Sequence, residues 1–138
     1  MKLLFTILIL TGVAYGQVAP APTEVTYKAT GIYSVLTDSN FTELSRKPLG
    51  NNVRVVYDTF FKSYKIYSTN EKGGNNLIDL KFFGTTSTPG ITSMRDRKNN
   101  DEYYAFVITG GLLRLLMGET VDRYPICWFY IEGLEKLE

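Results

Sequence analysis

Apolar residues in this chain recur at every second position, the spacing a strand with one covered face requires, and not at the three-to-four-residue spacing of a helix. Ile78, Leu80 and Phe82 alternate with Asp79 and Lys81. Val53, Val55 and Tyr57 share a face opposite Arg54, and Tyr64 and Ile66 bracket Lys65. Tyr104, Phe106 and Ile108 line one side of residues 102–109, with Tyr103, Ala105 and Val107 on the other. Residues 126–131 are apolar on both sides, which suits a central strand covered twice. Val25 to Leu36 is also strand-like, with Gly31 marking a bulge or bend.

The punctuation between these runs is that of a meander. Gly110-Gly111 separates two apolar runs by two residues, a hairpin signal, because the favoured turns need positive φ. Residues 71–76 and 96–101 are polar turns, and 84–90 is a loop by composition. Residues 47–52, with Pro48 and Gly50, are expected to break the chain before Val53. Leu112 to Met117 reads as one helical turn or as the second arm of the Gly-Gly hairpin; glycines at both ends leave too little length for a helix and favour the strand. Ser39 to Arg46 reads about equally well as coil or as a short helix capped by Asp38 or Ser39. About eight antiparallel strands follow. This predicts an all-β fold, either a small up-and-down barrel or a two-layer sandwich, with room for one short helix after the first strand.

Ahead of this domain, Met1 to Gly16 has the pattern of a secretory signal peptide. Lys2 supplies the positive start, residues 3–10 are apolar except for Thr6, and Ala14 and Gly16 place small residues before a cleavage site. The apolar run is shorter than the roughly 20 residues that span a bilayer. Gln17 to Thr23 is a Pro/Ala-rich tether, and a single β-rich domain is expected over 24–138. The expectation is a secreted or periplasmic protein with no transmembrane segment in the mature chain.

Fifteen basic side chains face fourteen acidic ones, and removing Lys2 with the leader leaves them equal. A nucleic-acid partner calls for a surplus of cations, so none is expected. The chain has no histidine, which excludes Ser-His-Asp and Cys-His nucleophilic machinery and removes the main nitrogen ligand of zinc. Neither Gly73-Gly74 nor Gly110-Gly111 has the spacing of a phosphate-cradling loop. Residues 96–102 fail the calcium-loop pattern, because Lys98 stands where an oxygen ligand is needed and the central glycine is missing. No cofactor or metal is implied. The single cysteine, Cys127, allows no intrachain disulfide; beside Trp128, Phe129 and Tyr130 it reads as a small buried hydrophobe, with pairing between chains as the alternative. Asn40-Phe41-Thr42 matches the N-glycosylation sequon.

What remains is aromatic surface. Phe60-Phe61 sits at an expected hairpin tip, where alternation turns one ring inward beside Val55 and Tyr57. Tyr64, Tyr67, Tyr103 and Tyr104 fall on strands and, with Phe60 and Phe61, are the candidate binding residues; packing in the core is the competing reading of the same side chains. The leading functional expectation is an exported, non-enzymatic β-domain that binds a small apolar ligand or a protein partner. The alternative is a structural or assembly subunit of an envelope or surface complex, with oligomers open to it. A carboxylate hydrolase built from Asp58, Asp79, Asp101, Glu102, Glu119, Asp122 or Glu132 is a minor third, requiring two acids across a cleft.

Overall fold

The computed structural model describes residues 23–137. The expected signal peptide, and the tether apart from Thr23, lie outside the described residues. Ten strands follow in chain order: β1 (Glu24–Ala29), β2 (Gly31–Thr37), β3 (Glu43–Asp58), β4 (Ser63–Thr69), β5 (Asn75–Thr85), β6 (Ile91–Asp96), β7 (Glu102–Phe106), β8 (Leu113–Met117), β9 (Ile126–Glu132) and β10 (Glu135–Lys136). All pairs are antiparallel, in the order β10-β1-β3-β2-β9-β8-β7-β6-β5-β4, and β4 pairs again with β3 to close the ring. Closure decides between the two architectures: the protein is an eight-stave up-and-down barrel, not a sandwich.

Eight staves arise from ten strands because two staves are interrupted. β1 and β2 lie end to end along the same edge of β3, with Val25 opposite Tyr57 and Val35 opposite Arg46. The interruption falls at Thr30, beside the bend expected at Gly31. There the Thr30 N–H and hydroxyl both donate to the Glu132 carbonyl, at 2.9 and 3.0 Å. The last stave is interrupted at the same level, between β9 and β10. Gly133 has φ of 70°, and a Cβ there would collide with the Thr30 side chain, so only glycine fits.

Two segments differ in part from the sequence reading: of the coil and the helix left open for 39–46, the non-helical alternative holds over 39–42 and strand takes over from Glu43. No helix forms over 39–46. Asp38 does cap, but it closes a turn: its Oδ1 accepts the N–H groups of Asn40 and Thr42, both at 2.9 Å, and Phe41 takes φ of 63°. From Glu43 the chain is already strand. Residues 47–52 do not break it either; they lie within the sixteen-residue β3. Pro48 is tolerated because β4 pairs only from Asn51 onward, which leaves the far edge of β3 unpaired around it among the described residues. The irregularities are absorbed as a register shift opposite Ile32 and Tyr33 and by Asn52 at φ of 50°. Leu112 to Met117 does form the hairpin arm, as β8, and Gly110 and Gly111 take φ of 59° and 72° in the turn before it.

Alternation divides the apolar side chains into two cores. Val53, Val55, Tyr64, Ile66, Leu80, Met94, Tyr103, Ala105, Leu113, Leu115 and Ile131 point inward and fill the barrel. The opposite faces of β2, β7, β8 and β9 carry a second cluster, in which Val35, Leu116, Ile126 and Trp128 are buried against Tyr33, Tyr104, Phe106 and Tyr130. Trp128 is ringed by Phe41, Phe106 and Tyr130, with centroids 5.4–5.8 Å away, and its indole N–H donates to Thr37 Oγ1 at 3.0 Å. Residues 126–131 are thus covered on both sides, as their composition predicts.

Candidate functional site: the mouth of the barrel

Up-and-down connectivity places the connections at two opposite ends. One end carries residues 38–42, 70–74, 97–101 and 118–125; the other carries 59–62, 86–90 and 107–112. The interior is packed along most of its length, but at the first end it opens into a cavity of about 660 Å³. Ile32, Leu49 and Ile78, which adjoin the interior core, form its apolar floor. Ser68 and Asp96 continue the inward-facing rows of Ile66 and Met94, and both are buried. Asn75, Asn76, Asp79, Arg97 and Lys98 complete the rim.

Hydrogen bonds fix the rim. Asp96 organises the β6–β7 connection: its Oδ1 accepts the Lys98 N–H at 2.7 Å, its carbonyl accepts from Asn100 at 2.8 Å, and its own N–H donates to the Asp101 carbonyl at 2.9 Å. Arg97 is tied to Asp79, with Nε 3.2 Å from Oδ1 and the backbone N–H 2.8 Å from the Asp79 carbonyl. Asn70 Oδ1 accepts from Lys72 and Gly74 and shapes the β4–β5 turn. Both rim carboxylates are therefore engaged, whereas Lys98 makes no ion pair with any described residue. The arrangement is an apolar well with a polar lip on which two carboxylates and two cations balance. A second hollow of about 540 Å³ lies on the other side of the same lip, where Arg54 stacks 4.6 Å over the Tyr67 ring beside Leu77.

The six aromatic candidates do not form one face. Tyr64 and Tyr103 are interior: Tyr64 packs on Tyr57 at 4.6 Å, and Tyr103 on Phe129 at 5.8 Å. Burial pushes the Tyr64 hydroxyl well above the usual phenol range. Tyr103 is pushed up to about 12, chiefly by burial and then by the negative charges of Asp96, Asp101 and Glu119. Both are neutral, space-filling groups at ordinary pH. Tyr104 belongs to the outer cluster, and Tyr67 lines the second hollow. Phe60 and Phe61 sit at the opposite end, 72% and 66% exposed, so neither ring turns inward as alternation predicts. The reason is Asp58. Its carboxylate accepts the N–H groups of Phe61 and Phe60 at 3.0 and 2.9 Å, and these bonds hold its pKa below the usual value. With Lys62 at φ of 54°, the resulting turn carries both rings off the sheet before β4 resumes the pleat.

The mouth residues are ones that composition alone does not single out. The signal is a break in polarity: Ser68 follows Tyr64 and Ile66, and Asp96 follows Met94, each at a position where the inward row should stay apolar. Cys127 is half-buried on β9, and its N–H donates to Thr120 Oγ1 at 3.1 Å. Among the described residues no three potential metal ligands gather, and no helix is long and apolar enough to cross a membrane. Comparison with protein families, with curated proteins and with solved structures gave no match.

Proposed function

We propose that this chain is an exported, non-enzymatic binding module that takes the apolar part of a small molecule into the barrel mouth and leaves its polar end at the rim. The observation that carries the reading is the cavity of about 660 Å³ with its floor of Ile32, Leu49 and Ile78. Sites for small ligands begin at roughly 300 Å³ and combine apolar walls with a few placed polar groups. Removing water from the floor on ligand entry would supply affinity at about 25 cal/mol per Å² of apolar surface. Asn75, Asn76 and Lys98 supply donors at the lip. The export half of the proposal rests on the leader pattern of Met1 to Gly16.

The test is titration with an amphipathic fluorescent probe, anilinonaphthalene sulfonate, against the protein and its Ser68→Trp variant. The indole would fill the mouth from a position already facing it. Saturable binding that weakens about tenfold or more in the variant, with the melting temperature little changed, is expected. Equal affinity in both proteins would refute the assignment.

A further inference from the structure

We infer that the barrel end opposite the mouth docks on an anionic lipid bilayer surface. Four phenylalanines are exposed there in two adjacent pairs: Phe60 and Phe61 on the β3–β4 turn, at 72% and 66%, and Phe82 and Phe83 near the end of β5, at 36% and 58%. The β5 pair is displayed where the register with β6 shifts between Phe82 and Gly84. The Lys62 ammonium from the turn lies 5.4 Å from the centroid of the Phe82 ring and links the turn to the β5 pair. Exposed apolar residues scattered singly are ordinary, whereas four large rings gathered at one end are not.

The charges around the rings select the occupant. Lys62 covers Phe82, the Arg95 guanidinium lies 4.2 Å over Phe83, and Lys81 is the cross-strand neighbour of Arg95. Of the acids nearby, Glu102 faces Arg95 at 3.9 Å and Asp79 pairs with Arg97, which leaves Asp58, a charged carboxylate that accepts the two turn N–H groups, and its cross-strand neighbour Glu24. Lys62, Lys65 and Lys81 make no ion pair with any described residue, so unpaired cations outnumber the unpaired Asp58 and Glu24 around the rings. Rings that enter the acyl boundary, with cations held at headgroup height beside them, match a bilayer carrying negative lipid. The turn that carries Phe60 and Phe61 stands at the other end of the staves from the mouth, although an outer hollow runs from Asp58 and Phe61 to Asp79 and Arg97 of the rim.

Sedimentation with vesicles of phosphatidylcholine, with or without phosphatidylglycerol, tests the assignment on the full chain. Partition is expected to be about tenfold stronger on the anionic vesicles, and Phe60→Ser/Phe61→Ser is expected to remove most of that gain. A Phe61→Trp variant reads the tip directly: its emission should shift to the blue when anionic vesicles are added, against the constant signal of buried Trp128. Absence of that shift, or partition unchanged by the double substitution, would overturn the inference. So would a dimer, seen by light scattering, that the double substitution disperses, since the patch would then belong to a second copy.

Discussion

The inside and the outside of this barrel are two cores built by different means. Inside, closure does the work: rows from every stave converge, and Val55, Leu80, Met94, Leu113, Leu115 and Ile131 lose all contact with solvent in the ordinary way of a filled small barrel. Outside, a convex surface should leave side chains half-wet, yet Val35 is fully buried and Trp128 is 2% exposed. The difference lies in side-chain size and reach. Phe41, Phe106 and Tyr130 surround the indole, and the Arg114 guanidinium stacks 4.7 Å over Phe106 and 5.9 Å over Trp128. Large planar groups thus give a convex face a dry interior of its own.

If the outer cluster is a true core, removing its centre should cost as much as removing the centre of the inner one. Trp128→Ala is expected to lower the unfolding free energy by about 3–5 kcal/mol, and Leu80→Ala by about 2–5 kcal/mol, both read from urea midpoints. A cost below about 1 kcal/mol for Trp128→Ala would reduce the outer cluster to surface decoration. Thr37→Val keeps the shape but strands the buried indole N–H, and should cost about 1–3 kcal/mol. The two tyrosines of the inner core add a contrast in pH. Their pKa values are raised on folding, so the native state holds these protons more tightly than the unfolded chain does. The stability they lend is complete below about pH 10 and is lost as pH rises toward 12. Tyr103→Phe should flatten part of that alkaline loss in pH-dependent urea melts, whereas Thr37→Val should leave its slope unchanged. The smallest effect belongs to Phe41→Ala. This ring is 59% exposed and meets the indole edge-on, so about 0.5–1 kcal/mol is expected.

Period-two alternation made the strands legible because a pleated chain with one dry face leaves no other pattern. It identified Val53 to Tyr57, Ile78 to Phe82 and the doubly covered Ile126 to Ile131 from single residues. It did not decide between barrel and sandwich, since that choice depends on the pairing of the first stave with the last, β2 with β9 and β1 with β10, between residues about a hundred positions apart that carry no mark of it. Proline and glycine at 48 and 50 suggested a break, but a strand whose far edge is unpaired can carry both. The mouth was the least legible part. Leu49, Ser68 and Lys98 meet only through the curvature of the sheet, and only the polar interruptions at Ser68 and Asp96 hinted at it. Phe60 and Phe61 were visible as a pair, but their shared exposure depended on how the Asp58 carboxylate folds the turn.

The seam between first and last staves has a consequence in time. Thr30 bonds to Glu132 across 102 positions, and Trp128 to Thr37 across 91. Neighbouring hairpins can zip as soon as their residues emerge from the ribosome, but the β2–β9 seam waits until the last stave, Ile126 to Glu132, has been synthesised. Until then the nascent sheet is an open ribbon with two raw margins, the state in which it is most exposed to pairing with the wrong neighbour.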